Sequence, residues 1–256
     1  MPFVPGYIRS PSDPRDYLLK SHRPYKALPL HYEVPGVKSI PVLDQGSRGS
    51  CVAFACSFIK VWQELQEYGK VFDLSEEYLY TRCKQLDGFP LEEGTFPRLA
   101  MAVLRYFGTC DEKLCPYQPP GVTIPLTEEM DEEAQQNRIA SYARVVTLGD
   151  LKAALMAYGP VLIGVPIYEN WFEPLIQKTG LIPSPRGENL GGHALAVYGW
   201  NRTHLLIRNS WGKGFGLKGD CLLPFDYPDL LADAWLSADL TCGTRVLRGT
   251  AWTPSS

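Results

Sequence analysis

Cys51 stands directly behind the turn Asp44-Gln45-Gly46-Ser47-Arg48-Gly49-Ser50 and ahead of the apolar run Val52-Ala53-Phe54-Ala55. This places a thiol at the mouth of a predicted helix, where unsatisfied N–H groups and the helix dipole favour negative charge. A thiol so placed has its thiolate favoured, and the thiolate is the nucleophile. The segment alone fits a second reading equally in kind, a small buried cysteine in a tight turn. Gln45 lies six residues upstream and can reach back as a hydrogen-bond donor.

A nucleophile needs a base, and the chain has only four histidines. His22 and His31 lie in an irregular, proline-rich stretch, and His204 sits beside the turn Asn201-Arg202-Thr203. His193 differs, because Gly191-Gly192 precede it and the apolar strand Ala194-Leu195-Ala196-Val197 follows. Two glycines let a partner backbone come close and let the imidazole project into a cleft. A satisfied strand-end histidine is the other reading. Downstream, Arg208-Asn209-Ser210-Trp211-Gly212 ends another predicted strand. There the Asn209 carbonyl can orient an imidazole and the Trp211 indole can shield that bond from water. Alone, the segment also reads as a simple turn.

These groups need elements to hold them. Apolar positions from Val52 to Leu65 follow helical spacing and predict a helix from Ser50 to about Tyr68, stopped by Gly69. Ser75 caps a second helix and Phe96–Tyr106 forms a third. Thr127 caps an acidic first turn, and Thr147–Asp150 open a short helix to Tyr158. Strand-like runs are predicted at 139–146, 161–165, 193–198, 205–208 and 220–223. The first half is helical and the second β-rich, so two lobes are expected to meet at a cleft.

A cysteine at a helix start, a histidine about 140 residues on and an asparagine soon after form a known signature. On these residues the chain resembles the papain-like cysteine peptidases, over roughly residues 40–225. Leu74-Ser75-Glu76-Glu77 is similar to the family's second-helix start, Gly94-Thr95-Phe96-Pro97 to its non-primed cleft wall, and Gly159-Pro160-Val161 to the entry of the opposite wall. The resemblance implies an α+β papain-like fold, with a helical lobe at about 45–125, a β-barrel-like lobe at about 126–256 and an irregular arm at 1–44. It implies a thiol endopeptidase in which Cys51, His193 and Asn209 form a triad and Gln45 supplies an oxyanion donor. Gly94, Thr95, Phe96, Pro97, Gly164, Gly192 and Trp211 would bind substrate, with an apolar residue expected two positions before the scissile bond. Two alternatives share the fold: another thiol acyl transfer (deamidase, transglutaminase or isopeptidase), and a silent binding module.

The chain departs from that family at several points. Arg48 and Val52 stand where a cysteine and a tryptophan are usual, and the partner of that cysteine is missing near Glu92-Glu93. Arg48 brings a positive charge near Cys51, which would lower the thiol's pKa or bind an acidic substrate residue; a plain surface arginine is the other reading. Thr95 replaces a glycine, and residues 1–44 are too short for a helical prosegment, so control by compartment, by partner or by this arm crossing the cleft is expected.

Composition narrows the remaining classes. The chain has 256 residues, 45% hydrophobic and 21% charged, with a net charge of −3, which speaks against disorder and nucleic-acid binding. No spanning apolar run or signal peptide is visible, so a cytoplasmic, monomeric protein with a peptide or protein substrate and no membrane partner is expected. Seven cysteines without a paired CxxC cadence predict no metal, no cofactor and a reducing location.

Overall fold

The computed structural model describes residues 4–19, 28–122 and 124–239; His22 and Cys242 lie outside them. In chain order the helices are α1 (Cys51–Tyr68), α2 (Glu76–Leu86), α3 (Pro97–Tyr106), α4 (Glu128–Ala134), α5 (Leu148–Tyr158) and α6 (Pro174–Thr179). The strands are β1 (Tyr32–Glu33), β2 (Ile139–Val145), β3 (Val161–Tyr168), β4 (Asn189–Trp200), β5 (His204–Arg208), β6 (Asp220–Pro224) and β7 (Ala234–Asp239). The fold is α+β, with the helices of the first half followed by an antiparallel sheet ordered β2-β7-β3-β4-β5-β6, and β1 added to β4.

Local chemistry explains the element ends. The Ser75 hydroxyl accepts the Tyr78 N–H at 2.9 Å, and the Thr147 hydroxyl accepts the Asp150 N–H at 3.0 Å, so each caps one orphan donor. Pro97 opens α3 at the position where a missing N–H does no harm. Gly69 ends α1 at φ 70°, a left-handed turn that glycine takes without strain.

The centre of the sheet is apolar on both faces. Val161–Val165 of β3 are all buried, as are His193–Trp200 of β4. Such unbroken burial arises when a strand is covered on both sides, and it explains why these runs are continuous and do not alternate. Helix α1 supplies one cover: Val52, Ala55, Phe58 and Ile59 join the same core as Leu195, Val197, Ile207 and Leu223. The helix therefore runs inside the molecule, with its N-terminus at the junction with β4. The sequence reading missed β7, which slots between β2 and β3, and the short α6. It also placed the start of β4 four residues late, because Asn189–Gly192 carry one apolar side chain, Leu190, and two glycines.

Gly159 joins α5 to β3 at φ 89°, and a Cβ there would come within 2.0 Å of the Trp62 ring on α1. Gly159→Ala combines a strained backbone with overpacking, so it should lower stability by about 2–5 kcal/mol in equilibrium denaturation.

Candidate active site

Cys51 is the first residue of α1 and is fully buried. Its Sγ accepts the Ala194 N–H at 3.2 Å, which ties the helix start to β4 one residue past His193. The His193 imidazole is buried, and its Nε2 meets the Asn209 Oδ1 at 2.8 Å. That carbonyl oxygen also accepts the Ser210 N–H at 2.8 Å, which fixes the amide as an acceptor toward the ring. The Trp211 indole stacks on the imidazole with centroids 4.7 Å apart and planes 29° apart. Trp211 is itself gripped by Trp171, Phe172 and Phe215. Three elements thus converge: the start of α1, the middle of β4, and the segment after β5.

Gln45 joins the group from the preceding turn. Its Oε1 accepts the Ser210 hydroxyl at 2.5 Å, and its Nε2 donates to the Arg48 carbonyl at 2.8 Å. Residues 43–45 pair with 210–212 through Gln45 N–H to Ser210 O (2.9 Å) and Gly212 N–H to Leu43 O (3.1 Å). The amide is therefore locked beside the nucleophile turn.

Arg48 is not a surface side chain. It is 4% exposed, bonded to both oxygens of the fully buried Glu77 carboxylate and stacked between Tyr80 and Tyr117. Its charge is paired with Glu77. The Glu93 carboxylate accepts the Gly49 N–H at 2.8 Å and the Tyr80 hydroxyl at 2.8 Å. Polar contacts from Arg48 and Glu93 thus hold the nucleophile turn where the resemblance led us to look for a missing cysteine pair. The six described cysteines are all free and buried.

The N-terminal arm passes through the cleft. Ile8 N–H donates to Thr95 O at 3.0 Å, and Thr95 N–H donates to Gly6 O at 3.1 Å, a parallel pairing centred on Tyr7. On the other wall Gly6 and Tyr7 N–H both approach Gly192 O, at 3.2 and 3.3 Å. Gly6 lies on the sulfur: a Cβ there would be 2.7 Å from Cys51 Sγ and 2.6 Å from the Gly49 carbonyl. The residues expected to bind substrate divide accordingly. Gly94, Thr95, Gly164 and Gly192 touch the arm, Trp211 covers His193, and Phe96 and Pro97 start α3, where the Phe96 ring meets Phe89. The arm crossing the cleft was one of three means of control that the sequence left open; its pairing with Thr95 and Gly192 was not readable there.

With the arm in place, burial dominates the electrostatics. It pushes the Cys51 thiol up to about 12, against N–H groups of Ala194, Val52, Gly6 and Cys51 that point at the sulfur and favour the thiolate. Burial also lowers His193 to about 4, with Asn209 opposing. The helix-start argument predicted a favoured thiolate; desolvation of the covered sulfur outweighs it, and both groups are neutral.

Among the described residues the one group with metal-ligand proximity is Glu64, Glu67 and Asp239, far along α1 from the site, and Lys60 already pairs with Glu64 and Asp239.

Gly6→Val cannot pass over the sulfur, so the arm should leave and iodoacetamide should label Cys51 at least tenfold faster, read by mass spectrometry. In the unsubstituted chain the labelling rate should keep rising with pH across 8–11, because the deprotonated fraction grows until pH reaches the raised pKa. Separately, Arg48→Ala leaves Glu77 buried without its partner and should cost about 3–5 kcal/mol in chemical denaturation.

Comparison with known proteins agrees with this arrangement. The model of the papain family of cysteine proteases matches residues 32–223. The chain is 27% identical over 270 residues to the uncharacterized peptidase C1-like protein L477 of Acanthamoeba polyphaga mimivirus, covering 92% of this chain and 87% of that one. A cathepsin L-like peptidase of Aedes aegypti is 30% identical over 187 residues, 70% of this chain and 53% of that one. Among solved structures, xylellain, a cysteine protease from Xylella fastidiosa, matches with TM-score 0.83 and 28% identity over 93% of this chain and 96% of that one. The chain belongs to the papain family of cysteine proteases.

Proposed function

We propose that the protein is a thiol endopeptidase that cleaves peptide bonds through a Cys51 acyl-enzyme. The observation that carries this reading is the convergence of Cys51, the His193–Asn209 pair and the locked Gln45 amide at one end of α1. Asn209 holds the Nε2 edge of His193, so the Nδ1 edge handles the proton exchanged with the thiol. As Sγ bonds the substrate carbonyl carbon, the thiol proton passes to His193. The carbonyl oxygen becomes an oxyanion, stabilised by the Gln45 amide and the Cys51 N–H. The C–N bond then breaks, the imidazolium protonates the leaving amine, and water hydrolyses the thioester by the reverse assistance.

Internal cleavage is supported by how the cleft holds its own arm. Chain continues on both sides of Cys51: Pro5 packs on Gly191 to one side, and Tyr7 and Ile8 run along Gly192 and Thr95 to the other. The arm escapes attack because it presents the wrong group. Gly6 turns its N–H to the sulfur and its carbonyl to Thr95 N–H, so its carbonyl does not meet the oxyanion donors.

Turnover of an internally quenched peptide by the arm-displaced chain tests this reading. Cys51→Ala should abolish it at a cost in stability of about 1 kcal/mol, from the Ala194 N–H left without its acceptor. His193→Ala should lower kcat by roughly 10²–10⁴-fold, and Gln45→Ala by roughly 10²–10³-fold. Labelling confined to Cys51 without turnover would exclude the peptidase and leave another acyl transfer.

A further inference from the structure

Two of the buried thiols meet beside the cap of α2. Cys110 and Cys115 flank a short turn after α3, are both fully buried, and share one cluster with Tyr78, Met130 and Ala134. Ser75 holds both ends of that turn at once. Its N–H donates to the Cys110 carbonyl at 2.8 Å, and its hydroxyl donates to the Cys115 carbonyl at 2.5 Å. Within the turn Leu114 N–H donates to Asp111 O at 3.0 Å, and Asp111 bridges Leu74. The backbone thus brings the thiols together, and their side chains interact directly. Lys113 and Pro116 on the same turn are exposed, so the sulfurs lie beneath a surface turn.

Contact makes the two sulfurs unequal. Cys110 donates to Cys115, which holds the Cys115 thiol below its ordinary range and the Cys110 thiol above it. Burial pushes Cys51, Cys56, Cys83 and Cys221 up, so among the described residues Cys115 is the one cysteine shifted toward the thiolate. The thiolate is the attacking species in thiol–disulfide exchange, whereas a cysteine that only fills space needs no second thiol beside it. The same turn reaches the active site. Tyr117, two residues on, donates its N–H to the Glu112 carboxylate at 2.7 Å. Its hydroxyl donates to the Gln45 carbonyl at 2.9 Å and meets the Ser50 hydroxyl at 2.5 Å. Ser50 directly precedes Cys51, so whatever stiffens residues 110–117 also steadies the nucleophile turn.

We propose that Cys110 and Cys115 are a redox-active pair that a low-molecular-weight disulfide converts into a reversible Cys110–Cys115 bond. The bond stiffens the loop through which Tyr117 holds Gln45 and Ser50. In the first step the Cys115 thiolate attacks one sulfur of the small disulfide, whose S–S bond breaks and whose other half leaves as a thiolate. The Cys110 sulfur then attacks Cys115 Sγ, gives up its proton and expels the second small thiol. Two protein thiols and one small disulfide become one protein disulfide and two small thiols. Two electrons pass from the protein to the small disulfide, and excess small thiol runs the exchange backward. The pair stands apart from the peptidase reading, because no substrate takes part in it.

The full-length chain is oxidised with glutathione disulfide, and its remaining thiols are then alkylated in denaturant. Lys113 lies between the two cysteines, so trypsin leaves them on separate peptides joined only by the new bond. This joined pair should be the main oxidised species by mass spectrometry, and reduced glutathione should remove it. Cys110→Ser should carry glutathione on Cys115, while Cys115→Ser should leave Cys110 open to alkylation. Absence of the joined pair, or a bond between other cysteines in its place, overturns the proposal. Equal glutathionylation of the two variants overturns the order of attack. For the loop, amide hydrogen exchange is compared between the reduced and oxidised chains. The Leu114, Tyr117 and Gln118 amides donate to Asp111, Glu112 and Glu77. They should exchange about tenfold slower or more after oxidation, with the Gln45 and Ser50 amides slowed in the same direction. Unchanged exchange at Gln45 and Ser50 overturns the link to the nucleophile turn.

Discussion

The hydrogen bond from Ala194 N–H to Cys51 Sγ is where helix and sheet lock together, and the rest of the site depends on it. It joins the first residue of a buried helix to the strand carrying the imidazole, so a shift of either element would separate the thiol from the ring. The apolar packing of α1 against β4 and β3 holds that junction. Close packing transmits rather than absorbs displacement, which suits a site needing sub-ångström placement. The aromatic cluster around Trp211 does the same for the imidazole and its asparagine partner.

The same closeness sets the resting chemistry. A sulfur surrounded by N–H donors should be acidic, yet a sulfur removed from water is a poor anion, and here removal from water wins. The imidazole responds in the same sense and stays neutral. Thiolate formation is therefore coupled to whether water or substrate replaces the arm. Under the arm both groups are neutral.

Much of this was legible in the chain, and the reasons differ by element. Cys51, His193 and Asn209 stood out because each sits at an element boundary marked by glycine or by a change of hydrophobic period. The caps at Ser75, Thr127 and Thr147 were readable because short polar side chains before a helical run have one common use. Arg48 was misread because its partner Glu77 lies 29 residues away on another helix, and charge pairing across that distance leaves no local pattern. The arm's pairing with Thr95 and Gly192 uses backbone groups, which every residue carries and no sequence advertises.

Gly6 crosses the sulfur as part of the chain it blocks. An occupant on the same polypeptide has a local concentration that dilution cannot change, on the order of millimolar for a short tether. On the peptidase reading proposed above, a free peptide must outcompete a neighbour that is always present, and weak or scarce peptides fail however dilute the protein becomes. The arm thus sets a threshold on ligand affinity, and the fraction of open molecules is a property of the single chain.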